Sequence, residues 1–291
     1  MGMGSRHAYL VIAHNNFNLL YLLLQLIDDE RNDIYIHIDK KVKDFDKLRY
    51  KSACKFSKIY FTNKRIDVQW GESSQVKTEM LLYKTASPQK YEYYHLISGV
   101  DLPLKSQNEI HDFFAKYRNR EFIFFENEVT HWDYQRLSIY RFPKKWDERI
   151  TNRLYCLQAK LKIDRIKRYN MVFYKGYNWC SLSHEAVSYL LENEKFIRRI
   201  CKATSCADEC YKQFLLCNSE VFKNRIYFNE KGLPDDLREV NWENCANSPH
   251  IYTIADLERL RKSDKIFARK FDEKVDFEVI RQIVSEIKSR G

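Results

Sequence analysis

The sequence predicts an α/β fold: one domain built on a mostly parallel, doubly wound sheet with helices on both faces. Two observations carry this. Short runs rich in Ile, Val and aromatic residues alternate with helical patterns through the first 126 residues, the rhythm of strand–crossover–strand units. Several of those runs also end in polar residues, and open sheets of this kind bind ligands beyond the carboxyl ends of their strands.

HAYLVIAH (7–14) is a compact apolar run and the first strand. FNLLYLLLQLI (17–27) is the longest apolar stretch and, being shorter than a membrane span, reads as a buried helix. DIYIHID (33–39) alternates and forms a second strand. A charged helix is expected near 43–52, a short strand at KIYFT (58–62) and a helix from Ser73 to Thr85. YEYYHLIS (91–98) is a strand that runs straight into SGVDLPL. An aspartate and a proline directly after a buried strand suit a cleft-lining loop better than a plain reversal. SQNEIHDFFAKY (106–117) is a helix opened by a Ser-x-x-Glu capping box, and EFIFFE (121–126) a further strand. The remainder is less regular. It comprises a basic helix (150–167), a strand-like NWCSLS (178–183), a helix over 184–200 and another over 205–215. A loop-rich section with Asn241-Trp242 follows, then the helices IADLERLRK and DFEVIRQIVSEIKS.

With 44% apolar and 15% aromatic residues in 291, the chain can bury a large core, and seven Gly and five Pro leave no room for a long linker. Fifty Lys and Arg against forty Asp and Glu give +10, which favours a phosphorylated ligand, nucleic acid or an anionic membrane face. No recognised nucleic-acid motif is present, so nucleic acid is not expected as a partner. The local basic excess in 153–170 reads either as a solvated helix face or as a dock for an acidic membrane. MGMGSRH lacks the apolar core of a signal peptide, and the expected compartment is the cytoplasm. Eight Cys without an export signal read as reduced thiols. Cys201, Cys206, Cys210 and Cys217 cluster without a CxxC pair, and packing explains them better than zinc.

His14, Asp39, Trp70 and Asp101 stand at strand ends or in the loops after them. Each alone also serves as a turn or cap residue. Glu209 in SCADECYKQFL falls in the expected first turn of a helix capped by Ser205. There the helix dipole would help keep a carboxylate ionised, the state of a general base; a plain charged turn has the same spacing. Arg269 and Lys270, between Phe267 and Phe271 in helical or turn geometry, could clamp a diphosphate or merely line the surface. There is no GxGxxG, P-loop or HExxH. Asp44 and Asp46 form a DxD, but inside the charged helix; Glu126-Asn127-Glu128 is better placed.

Taken in order, VIAHNN, IYIHIDKK, QWGESSQV, LISGVDLPLKS, NWCSLSHEAVSYLLENEKF, ADECYKQFLLCNS, VNW, SPHIYTIADLERL and FARKFDEKVD resemble the core-2/I branching β-1,6-N-acetylglucosaminyltransferases and the related peptide O-xylosyltransferases. The resemblance implies a GT-A-type sheet, a UDP-sugar donor, inversion at the anomeric carbon, and chemistry with neither metal nor cofactor. It implies a nucleotide-binding half at about 7–126 and an acceptor-binding, catalytic half at about 127–291. Matched by motif, Ala13, His14 and Asp39 look like uridine or ribose contacts, Glu209 the base, Trp242 an acceptor-stacking residue and Lys270 a diphosphate clamp. The family's second clamp, an Arg, has no direct counterpart; His250 in SPHIY or Arg269 stands nearest. Trp70, Asp101 and Glu128 are candidates for the sugar side of the cleft, with Asp101 facing it. The expected acceptor is a glycan, on a lipid carrier in a bacterial-type enzyme that is at most peripheral at the inner membrane face. A xylosyl donor, and a silent sugar- or nucleic-acid-binding protein, are the other readings.

Overall fold

The computed structural model describes residues 5–142, 146–243 and 248–290. In chain order the first half contains β1 (His7–Ala13), α1 (Phe17–Leu26), β2 (Asn32–Ile38), α2 (Lys47–Lys51), β3 (Lys58–Phe61), α3 (Ser73–Ala86), β4 (Tyr93–Ser98), β5 (Leu102–Pro103) and α4 (Gln107–Lys116). There follow α5 (His131–Ser138), α6 (Glu148–Lys160), β6 (Cys180–Ser183), α7 (His184–Glu192), α8 (Glu194–Ile200) and α9 (Tyr211–Leu216). The chain closes with β7 (Arg238–Val240), α10 (Leu257–Lys262), β8 (Phe267–Arg269) and α11 (Phe277–Arg290).

The main sheet has the order β3-β2-β1-β4-β6. Its first four strands are parallel, and β6 runs antiparallel to β4. Every residue of β1, β2 and β4 is buried, as expected of strands covered on both faces. Alternate residues feed two cores. Tyr9, Val11 and Ala13 meet α1, α4 and α11, while Ala8, Leu10 and Ile12 meet α3, α7 and α9. A small second sheet, β5-β8-β7, stands at the carboxyl side. Arg238 joins the two sheets: its guanidinium donates to Leu96 O (3.1 Å), Cys180 O (2.8 Å) and Ser181 Oγ (3.0 Å), and lies over the Phe267 ring.

Five expected elements differ. EFIFFE is no strand; it makes only single bridges, Glu121 to Ile226, Phe122 to Ser181 and Phe125 to Gly176, because β6 already occupies the edge of β4. FARKF is not helical: residues 267–269 pair with both β5 and β7. The charged helix shrinks to α2, since the Asp46 carboxylate caps it by accepting from the Leu48 and Arg49 amides. The basic helix stops at Lys160, with Lys162 in the left-handed region at φ 50. The 184–200 helix breaks at Asn193 into α7 and α8. The capping box of α4 is present, with Ser106 and Glu109 in reciprocal bonds.

Candidate active site

The carboxyl ends of β1 and β2 meet at Asp39, whose amide donates to Ala13 O at 3.0 Å. The Asp39 side chain is buried; Oδ1 accepts from the Lys41 amide (2.8 Å) and Oδ2 from the Val68 amide (3.3 Å), with Lys41 Nζ at 3.5 Å. Arg65 fixes this corner by donating to Ile38 O at 3.1 Å and to Asp39 O at 2.5 Å. His14 lies in the same field: partial burial pulls its imidazole below the ordinary range against the pull of Asp39, and Lys41 and Lys270 push the same way as burial. His14 therefore stands near enough to both Asp39 and Lys270 to feel their charges, and the three mark one end of the candidate site.

Asp101 does not join them and is turned into the interior. It is 1% exposed, accepts from the Ser98 amide at 2.8 Å and stands 3.4 Å from Arg269 Nε. Burial raises its carboxyl pKa against Arg269 and that amide. Arg269 lies over the Trp179 ring at 4.4 Å, so the pair braces the floor. Lys270, half-buried, turns elsewhere: its Nζ donates to Ser248 Oγ at 3.2 Å. His250 stands in the neighbouring segment, its Nε2 3.0 Å from Asp256 Oδ2, and the Tyr252 amide donates to Lys270 O.

At the other end lies Glu209. Ser205 does not cap a helix here; Cys206 takes the left-handed conformation at φ 48, and Ala207–Glu209 form a 3₁₀ turn before α9. The Ser205 amide instead bonds Arg136 O on α5. Glu209 is thus held by a charge rather than by a helix dipole: Arg136 Nη1 sits 2.5 Å from Oε2, and Arg136 also reaches Asp133 at 3.2 Å. The Glu209 carboxylate remains about one-third exposed, at 32%. Its backbone O accepts from the Gly176 amide at 2.8 Å. A Cβ at Gly176 would lie 1.8 Å from Phe124 O, so only glycine allows this approach.

Next to it Tyr177 stacks on Phe124 (4.5 Å) and on Trp242 (6.1 Å between centroids, 25° between planes). Burial, with Asp236, Glu126 and Glu209 adding to it, pushes the Tyr177 phenol up to about 12. The Trp70 loop reaches this end through Gly71, at φ +76, whose O accepts from the Cys206 amide at 2.8 Å. Trp70 is 67% exposed. Glu128 is exposed in the loop before α5, and Glu126 is ion-paired with Lys175.

The rim is thus continuous from His14 and Asp39, through Val68 and Trp70, to Cys206 and Glu209. Sequence reasoning missed Arg136 and Tyr177. Tyr177 stands beside the NWCSLS run and was within reach; Arg136 is 73 residues from Glu209 and nothing in HWDYQRLS marks it. Cys201 and Cys210 are buried thiols, with Cys206 and Cys217 partly so. Among the described residues no helix is long and apolar enough to cross a membrane.

The model of the Core-2/I-Branching enzyme family matches residues 7–261. A xylosyltransferase of Ciona intestinalis is 21% identical over 96% of this chain and 34% of its own length. The beta-1,3-galactosyl-O-glycosyl-glycoprotein beta-1,6-N-acetylglucosaminyltransferase of Homo sapiens is 24% identical over 65% of this chain and 42% of its own. The N-acetyllactosaminide beta-1,6-N-acetylglucosaminyl-transferase of Mus musculus is 22% identical over 91% and 68%. The chain spans about a third of the length of the xylosyltransferases it matches. Among solved structures, mouse xyloside xylosyltransferase 1 in its apo form aligns over 90% of this chain and 96% of that one at 8% identity, with a TM-score of 0.39, a likeness too distant to carry an argument. The match across 7–261 is the decisive one, and this chain belongs to the Core-2/I-branching enzyme family of glycosyltransferases.

Proposed function

We propose that this chain is an inverting glycosyltransferase that moves a sugar, N-acetylglucosamine by first choice, from a UDP-sugar to a hydroxyl of a glycan acceptor in one displacement. The carrying observation is Glu209: a partly exposed carboxylate gripped by Arg136 beside the Tyr177–Trp242 stack. An acceptor hydroxyl is a poor nucleophile. Glu209 takes its proton as the oxygen attacks the anomeric carbon, and Arg136 holds the carboxylate in position. The bond from that carbon to the β-phosphate oxygen breaks on the opposite face, which inverts the centre. Asp39, with Ala13 and His14, receives the nucleoside. The charge growing on the β-phosphate meets Lys270, with His250 as the second cation. Trp242 stacks on the acceptor ring, and Trp70 and Glu128 line the sugar side.

Independence from metal is part of the proposal. Its support is that Glu126 and Asp101 are each already paired with a cation, Lys175 and Arg269, while Lys270 stands toward the nucleotide end. A xylosyl donor is the second reading, favoured by xylosyltransferase relatives that align over nearly the whole chain. The expected acceptor rides on a lipid carrier at a membrane face, a reading supported by the net +10.

Thermal shift and hydrolysis with UDP-GlcNAc, UDP-Xyl, UDP-Gal and UDP-Glc, each with and without excess EDTA, test this. One UDP-sugar should stabilise the chain and be slowly hydrolysed, unaffected by EDTA. Loss of turnover in EDTA, restored by Mn²⁺, removes the metal-free mechanism; no response to any donor removes the donor class.

A further inference from the structure

Helix α6 is mounted opposite to an ordinary surface helix. Ile150, Leu154, Leu157 and, at the C-cap, Leu161 stand four, three and four residues apart and form one narrow stripe. Such a stripe normally faces the core. Here Ile150 is 53% exposed, Leu157 49% and Leu161 63%. The buried side chain of α6 is the polar Gln158, whose amide accepts from Tyr140 N at 2.7 Å and donates to Tyr140 O at 3.0 Å. Tyr155 packs on Phe142 beside it. The helix is therefore seated by its Tyr155–Gln158 side and turns Ile150, Leu157 and Leu161 outward, with Leu154 half-buried. Trp146, also exposed, extends the apolar surface ahead of it.

The charges around the stripe identify what covers it. Arg149, Arg153 and Lys160 recur at spacings of four and seven and line one flank, with Lys162 beyond the C-cap; all are exposed. The acids of this helix lie elsewhere. The Asp147 carboxylate is engaged by the Arg149 and Ile150 amides as the N-cap, and Glu148 falls on the far side from the leucines. Outward leucines and a tryptophan with a cationic flank match the headgroup–acyl boundary of an anionic bilayer, which takes the apolar side chains and pairs its phosphates with the cations.

We propose that α6 is an interfacial anchor that seats the chain on an anionic lipid surface. Its position gives the anchor a use. Arg141 lies over Trp132 of α5 (4.7 Å) and Tyr155 of α6 (5.5 Å), and α5 carries the Arg136 that holds Glu209. Docking by α6 brings the Glu209 end of the cleft to the membrane, where a lipid-carried acceptor would present its sugar. Only this last step rests on the glycosyltransferase reading; docking does not.

The test is flotation of the whole chain with vesicles of phosphatidylcholine alone and with about a third phosphatidylglycerol. The chain should float with the anionic vesicles only, less so at high salt. Leu157→Glu should weaken partition by about tenfold or more, and Arg153→Glu with Lys160→Glu by roughly fivefold or more per charge. Both variants should keep the wild-type melting point, since these side chains are exposed. No flotation of the wild type, or equal flotation of the variants, overturns the proposal; so does a dimer that Leu157→Glu abolishes, which would give the face to a second copy. A chain that floats but transfers no sugar keeps the anchor and loses the enzyme; one that transfers to a soluble acceptor but never floats does the reverse.

Discussion

Two adjacent cations, Arg269 and Lys270, do different work because of how the chain leaves β8. Arg269 turns inward between Asp101 and Trp179, while Lys270 stands beside Ser248 and in the field of His14. Lys270→Ala should leave the fold intact, weaken UDP binding and slow transfer by about 10²–10³-fold, the usual loss for one group that meets developing charge. Arg269→Ala leaves Asp101 buried without its partner and should cost roughly 3–5 kcal/mol of stability, with UDP affinity of the folded fraction near normal. Calorimetry with UDP and circular dichroism on both variants read the difference. The reverse pattern would move the clamp to Arg269, and unchanged affinity in both would take FARKF out of the site. Asp39, Glu209, Trp242 and Lys270 were legible because each stands in a short motif. Arg136 was not, because an ion pair across 73 residues leaves no local trace. Asp101 was misread because a strand-end aspartate that braces the floor and one that faces the cleft look alike in sequence.

At the scale of elements, the turn that carries Glu209 stands on a buried ion pair. Lys212 of α9 meets Glu79 of α3 at 2.6 Å with both side chains fully buried; Tyr211 Oη donates to the same carboxylate, and Lys212 Nζ to Asp208 O. Burial, with the charges of Glu79 and Glu209 adding to it, pushes the Asp208 carboxyl up to about 8. Lys212→Met should therefore cost roughly 3–5 kcal/mol, because it strands Glu79. Adding Glu79→Leu should restore most of that loss, since an apolar pair needs no partner. Chemical denaturation of the single and double variants checks this, and a single variant as stable as the wild type would contradict it. The long strands and helices around this turn were legible from their apolar periods. The second sheet was not, since strands of two or three residues carry no period. The 3₁₀ turn was hidden because Cys206 takes a left-handed conformation that a cysteine does not announce.

In the molecule as a whole, the core beneath β1, β4 and α4 holds neutral histidines: His7 stacks on His111 at 4.0 Å, and His95 Nε2 lies 3.1 Å from His7 Nδ1. Burial, with Arg31 adding to it, lowers the His111 pKa to about 4. A base depressed in the fold contributes its full stability above its unfolded pKa, about 6.5, and loses it as the pH falls toward 4. Asp208 and Asp236, raised by burial, act in the opposite direction. The clean comparison is therefore wild type against His111→Gln. The stability gap between them should change in the variant's favour by roughly 3 kcal/mol at most between pH 6.5 and 4, read from denaturation at each pH; a constant gap would contradict it. The central claim is that Glu209, at the end of the rim that starts from His14 and Asp39, is the base. Glu209→Gln keeps the size of the side chain but cannot take a proton. The decisive measurement is sugar transfer by this variant from whichever UDP-sugar stabilises the chain, with UDP affinity measured alongside. Transfer should fall by at least about 10²-fold while UDP binds near normally; transfer at the wild-type rate would contradict the account.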